Sequence, residues 1–201
     1  MTMKNASRST AAKKPDGRLL RSERSRQAII DGLLALITEG VLAPTAQQIA
    51  ERAEVGIRTV FRHFADMESL FATTDSQIRP AYEGLFIGSD RSGTLLERIE
   101  HALEQRATVY EKLSPLMLSS KAMIWRSPVI QKNYARSQRG LRKDLLEWLP
   151  EINDLSPPRQ EAVDSLVSFE NWDRLRSQQG LSKKASMEVV NEMLRLVFAI
   201  K

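Results

Sequence analysis

The chain has no cysteine among its 201 residues. That excludes disulfides and thiolate zinc sites, and a reducing cytoplasm is the simplest compartment to expect. Histidine is nearly absent as well, and neither His63 nor His101 has an obvious acid or nucleophile partner. Gly-rich phosphate loops and nucleophile-elbow patterns are missing, so the common enzyme signatures are not present. Long apolar runs are lacking too. The best candidate, 28–37, is broken by Asp31 and Gly32. It is far short of the ~20 residues of a membrane span and lacks signal-peptide flanks. No stretch alternates with period two, which argues against any sheet.

What the chain does have is charge concentrated at one end. Lysine and arginine number 30 against 25 aspartate and glutamate. Residues 1–64 hold 11 basic and 6 acidic side chains, whereas residues 65–201 hold 19 of each. A basic end on a neutral body suits phosphate-backbone binding, in which released counterions supply much of the affinity. A solvated basic tail would carry the same charge, so the neighbouring motif has to decide.

Residues 1–20 are polar, rich in Ser, Thr and Lys, and carry Pro15 and Gly17, a composition expected for a mobile arm. From Arg21 the pattern turns helical. Ile29, Leu33 and Ile37 share a stripe that Ile30 and Leu34 widen, and Gly40 is placed as a stop. Further helices are expected over about 67–87, 94–113, 115–124, 127–148, 157–178 and 183–200. Gly88 and Gly93, Pro115, Pro128, Pro150 with Pro157-Pro158, and Gly180 mark the breaks between them. The expectation is an all-α chain of about nine helices. It divides into an arm (1–20), a helix-turn-helix domain (21–70) and a larger helical domain (71–201).

The helix-turn-helix reading rests on Thr45–Leu70. Thr45 and Gln48 fit a capping box. Ile49, Ala50 and Ala53 form an inner face whose small alanines allow two helices to cross closely. Val55 fills the turn, Gly56 can begin the next helix, and Val60 and Phe64 point inward. Asp66 then caps a third helix, with Glu68 in its first turn favoured by the dipole. Arg58 and Arg62 fall on the exposed side of the short second helix. Arg58 is the best base reader, because a guanidinium can bond O6 and N7 of guanine together. Arg62 suits phosphate equally well.

The run A-E-V-G-I-R-T-V-F-R-H-F-A-D-M-E-S-L (53–70) resembles the recognition element of the tetracycline-repressor (TetR) family, roughly A-G-V-S-x-x-T-L-Y-x-H-F-x-x-K-E-x-L. Ala53, Val55, Thr59, His63, Phe64, Glu68 and Leu70 match outright, and Val60 and Phe61 are close substitutes. Residues 168–197, with F-E-N-W-D-R-L-R-S-Q-Q-G-L-S-K-K-A, are similar to the final helix pair of many members, while 75–155 match only in being helical. Glu54 replaces a turn glycine, Gly56 replaces Ser and Met67 replaces Lys. The family's phosphate contacts at Gly56 and Met67 therefore do not carry over.

The resemblance implies a homodimeric, ligand-responsive regulator, most often a repressor, that binds a (pseudo)palindromic operator in double-stranded DNA. It implies DNA contacts at Thr45, Thr59, Phe61 and His63, beside Arg58 and Arg62 read from the exposed face. His63 is as well suited to helix packing, and Phe61, lacking the usual tyrosine hydroxyl, offers only van der Waals contact. The effector is expected among Tyr82, Phe86, Tyr110, Met117, Met123, Trp125 and Trp148, since Met and aromatics suit an apolar, adaptable cavity, although the same residues suit a core. The last two helices are expected to pair with their symmetry mates through Leu166, Phe169, Val190, Leu194 and Val197, or else to fill a monomer core. No cofactor, metal or membrane partner is expected; the Glu97 and His101 pair lies on a charged helix and reads as solvent-facing. The basic residues before the first apolar stripe (Lys4, Arg8, Lys13, Lys14, Arg18, Arg21, Arg24 and Arg26) suit either a backbone-tracking arm or a solubilising tail. A helical carrier or an enzyme without DNA binding is the alternative, but neither needs charge gathered around a helix-turn-helix.

Overall fold

The fold comes from a computed structural model that describes residues 17–87 and 90–200, and among these the regular elements are all helical. The α-helices are α1 (Gly17–Thr38), α2 (Ala46–Arg52), α3 (Ile57–His63), α4 (Met67–Glu83), α5 (Leu95–Met123), α6 (Pro128–Trp148), α7 (Pro157–Leu166), α8 (Phe169–Asp173) and α9 (Lys183–Val197). Short 3-10 turns follow α4 and α6, and a π-helical turn, Arg174–Gln178, follows α8. None of the described helices is long and apolar enough to cross a membrane.

The stripe anticipated on the first helix is its buried face. Ile29, Ile30, Leu33, Leu36 and Ile37 meet Ile49 and Ala50 of α2, Val60 of α3, Phe64 and Leu70 in one core. Each of these side chains larger than alanine contributes about 1.5–3 kcal/mol by leaving water. Gly32 sets the approach of α1 to α2: a Cβ there would stand 3.3 Å from the Cβ of Ala53 and 3.4 Å from the Ile49 carbonyl oxygen. The crossing thus needs a glycine on α1 as well as small residues on α2.

Four boundaries differ from the sequence reading. Helix α1 starts at Gly17 instead of Arg21. Its first turns are exposed, with Leu19 64% and Leu20 43% accessible, so they carry no apolar stripe to read. The remainder of the expected arm, 1–16, lies outside the described residues. Pro115 does not break the chain: α5 runs 29 residues straight through it. A proline there removes one helical donor and crowds the preceding turn. Burial of Ala107, Tyr110, Ser119 and Met123 on both sides holds the helix together.

The span 157–178 is broken after Leu166. Ser168 caps α8 by accepting from the Asn171 backbone N–H, and Asn171 Nδ2 donates to the Leu166 carbonyl 2.7 Å away. The Tyr110 hydroxyl donates to the Val167 carbonyl at 2.9 Å and pins this corner to α5. Helix α9 ends at Val197, where Phe198 caps it. A second core unites α5, α6, α7 and α9 around Ile99, Leu103, Leu145, Trp148, Val163, Val190 and Leu194.

Candidate nucleic-acid interface and ligand cavity

Local chemistry fixes the helix-turn-helix. The Thr45 side chain accepts from the Gln48 N–H while Gln48 Oε1 accepts from the Thr45 N–H at 2.9 Å, completing the capping box. Glu54 holds φ at +53°, the left-handed conformation that favours glycine and costs a side chain about 1 kcal/mol. Gly56 begins α3 in extended conformation without a side-chain cap. Val60 is 1% and Phe64 3% exposed, so burial on that side turns the opposite face of α3 outward.

That outward face carries Arg58, Phe61 and Arg62, all exposed, with Thr59 half-buried beside them. Neither Arg58 nor Arg62 has an ion-pair partner among the described residues, so both guanidiniums are available to a partner. Thr45 is exposed at the start of α2, with its hydroxyl also donating to Gln48 Oε1 at 3.0 Å. His63 is different. Its Nε2 is buried with no partner among the described residues. Desolvation, reinforced by the Arg62 and Arg26 charges, lowers its pKa below the usual histidine value. The ring therefore sits neutral at neutral pH and packs toward α1. Along α1, Arg18, Arg21 and Arg24 are exposed, and the Arg26 guanidinium lies 5.2 Å from the Phe64 ring centroid.

Behind this unit, α4, α5 and α6 enclose a cavity of about 480 Å³. Tyr82, Phe86, Tyr110, Met117 and Met123 line it as the sequence led us to expect. Trp125 and Trp148 do not. Trp125 is 71% exposed, with the Arg126 guanidinium 4.2 Å from its ring centroid. Trp148 is core: it is 1% exposed and its indole N–H donates to Gln105 Oε1 at 3.1 Å. Missed by the sequence reading were Phe71, Thr74, Asp75 and Ile78 of α4 and Asn133, Arg136 and Leu141 of α6. The three- and four-residue spacing along α4 was a usable signal; which helix faced it was not.

Three features join the cavity to the helix-turn-helix unit. Leu33 and Ile37 belong both to the core beneath α3 and to the cavity wall. Glu68, read from the sequence as a dipole partner of its own helix, accepts from Ser127 Oγ at 2.8 Å and from the Val129 N–H at 3.0 Å, so it caps the start of α6. In addition, Ser119 Oγ of α5 donates to the Leu42 carbonyl at 2.8 Å, in the loop before α2.

The expected pairing residues need correction. Phe169, Val190 and Leu194 are 1%, 3% and 0% exposed within a single chain. They fill the protomer's own core, with Phe169 edge-on to Tyr110 at 5.6 Å, and present nothing to a partner. Leu166 and Val197 remain half-buried. The apolar residues that α9 leaves accessible are Met193, 42% exposed, and Leu196, 71% exposed.

Residues 29–74 match the family model for bacterial regulatory proteins of the tetR family. The fold is similar to a transcriptional regulator of Rhodococcus sp. Rha1 (TM-score 0.63, 16% identity), covering 89% of this chain and 96% of that one. It is also similar to a protein of Rhodococcus sp. assigned as a TetR-family transcriptional regulator (TM-score 0.62, 16% identity, 87% and 98% covered). A protein of Streptomyces coelicolor A3(2) assigned as a transcriptional regulator shares the fold at TM-score 0.55 and 18% identity, over 87% of this chain and 98% of that one. No curated protein matches the chain.

Proposed function

We propose that the chain is a TetR-family transcriptional regulator, a cytoplasmic, homodimeric repressor released from its operator by a small effector; the family-model match over residues 29–74 and the shared fold support this reading. The observation that carries the reading is the shared wall: Leu33 and Ile37 support the helix that faces DNA and also border the cavity. A molecule entering between α4, α5 and α6 must press on the same residues that set the position of α3. A carrier or an enzyme would have no use for that connection.

In this reading Arg58 bonds guanine, Arg62 and Thr45 contact phosphate, Thr59 and Phe61 touch the groove, and His63 supports α3 as a neutral ring. Two copies pair through α7 and α9, with Leu166, Val197, Met193 and Leu196 supplying the apolar face. Pairing places two recognition helices on successive major grooves. The basic segment before α1 adds sequence-independent affinity. Removing its charges should flatten the log-affinity against log-salt slope by about 0.9 for each phosphate no longer neutralised.

The test is footprinting on DNA upstream of the gene that encodes the chain. The expected result is a twofold-symmetric protected site with half-sites one helical turn apart, about 34–36 Å. Absence of salt-dependent, site-specific protection would return the reading to a helical carrier.

A further inference from the structure

The cavity is not uniformly apolar, and its polar end has unequal charge. Asp75 of α4 accepts from Arg79 Nη2 at 2.5 Å, from Arg136 Nη2 at 2.7 Å and from the Tyr82 hydroxyl at 2.8 Å. Two guanidiniums thus share one carboxylate. Burial alone would raise the Asp75 pKa, but these hydrogen bonds outweigh it and hold the carboxyl below its ordinary value. It stays ionised, and a net positive charge is left over. Elsewhere on the wall the charges cancel. Asp144 pairs with Arg91 at 2.7 Å and with Arg106, behind the wall, at 3.3 Å, Glu147 pairs with Arg91 and with Lys143, and Glu83 lies at an exposed position.

Two polar atoms at this end have no partner among the described residues. Arg136 lines the cavity and its buried Nε is unbonded. Thr74, also on the wall and only 4% exposed, keeps a buried, unbonded Oγ1. Buried donors are rarely left unpaired, and a charged one least of all. The Asp75 carboxylate is already bonded by three groups, so it has little left to offer a cation. A neutral apolar guest would leave both Nε and Oγ1 unsatisfied. An acceptor carrying negative charge satisfies both. At about 480 Å³ the cavity lies within the range of pockets that receive small-molecule ligands.

We propose that the cavity receives an amphipathic organic anion, with its apolar body among Phe71, Ile78, Leu113 and Met117 and its acidic head bonded by Arg136 and Thr74. The proposal rests on the reading of this cavity as the effector site and adds the chemical class of the effector.

Two fluorescent probes separate that class from mere apolarity. They are 8-anilinonaphthalene-1-sulfonate and N-phenyl-1-naphthylamine, the same ring system with and without an anionic head. The intact chain should bind the sulfonate about tenfold or more tighter, the size of one charge-assisted hydrogen bond. Arg136→Gln should remove most of that preference while leaving affinity for the neutral dye within about twofold. Asp75→Asn, which frees the guanidiniums, should raise sulfonate affinity instead, and this variant decides the matter if Arg136→Gln fails to fold. Equal affinities for the two dyes, a preference untouched by Arg136→Gln, or no gain with Asp75→Asn would overturn the anion assignment and leave the effector reading standing. Binding of neither dye would overturn both.

Discussion

The helix-turn-helix unit and the helical body behind it treat the same kind of residues differently. Where α1, α2 and α3 meet, the core side chains close tightly: Ile29, Ile30, Ile49 and Leu70 are all 0% exposed, and Gly32 brings α1 and α2 to within a missing methyl of each other. Between α4, α5 and α6 they stop short and leave about 480 Å³ unfilled. Charge divides the same way. The first 64 residues hold the whole positive excess, with Arg58 and Arg62 unpaired among the described residues, whereas the body is balanced and ties Arg91, Arg98, Arg142 and Arg176 to carboxylates. On the proposed function, a reading head must hold its side chains at fixed positions on a rigid duplex, which suits a closed core with Arg58 and Arg62 outside any ion pair among the described residues. A receiving domain must yield to a guest. Helix α4 belongs to both, with Leu70 in one core and Thr74 on the wall of the cavity.

The largest effect should separate core from interface within α9. Leu194→Asp buries an uncompensated charge at a fully enclosed site and should cost more than about 4 kcal/mol, unfolding the protomer. Leu196→Asp, on a residue 71% exposed, should leave the urea midpoint nearly unchanged and yield monomers in light scattering. Unfolding of both variants, or of neither, would erase the distinction.

Truncations compare the closed and hollow regions directly. Ile49→Ala should lower unfolding free energy by about 2–5 kcal/mol, while Leu113→Ala, facing space that already exists, should cost nearer 1 kcal/mol. Equal losses in denaturant titration would mean the cavity wall is as tightly packed as the DNA-facing core. A smaller gain is expected at the turn. Glu54→Gly relieves the left-handed strain but adds unfolded-state entropy, for a net stabilisation of about 0.5 kcal/mol read from the shift in urea midpoint. The smallest effect concerns His63, whose lowered pKa keeps it uncharged. His63→Gln should leave the salt slope of DNA binding unchanged at neutral pH, while Arg62→Gln should flatten it by about 0.9 if Arg62 sits on phosphate.

How far the sequence could be read follows the same division. The helix-turn-helix was legible because its signals are local: Thr45 and Gln48 lie three residues apart, Val60 and Phe64 four, and Glu54 sits in the turn where a glycine is expected. In the body the deciding contacts are distant. Pro115 looked like a stop until packing on both sides carried α5 across it. Leu194 looked like an interface residue because an apolar stripe does not say whether its cover is the same chain or another. Trp148 and Tyr110 are both buried aromatics on helices, yet only Tyr110 also borders the cavity, while Trp148 packs away from it with Gln105. Asp75 and Arg136 are sixty-one positions apart, and no spacing rule joins them.

The central claim is that α3 reads DNA bases through Arg58. It is tested most directly by titrating wild type and Arg58→Ala against every single-base variant of the footprinted operator at one fixed salt concentration. The account predicts a loss of about 1–3 kcal/mol on the cognate site and relaxed choice at one base pair in each half-site, with the other positions discriminated as before. Uniform weakening across all variants, with the preference at every position retained, would contradict it.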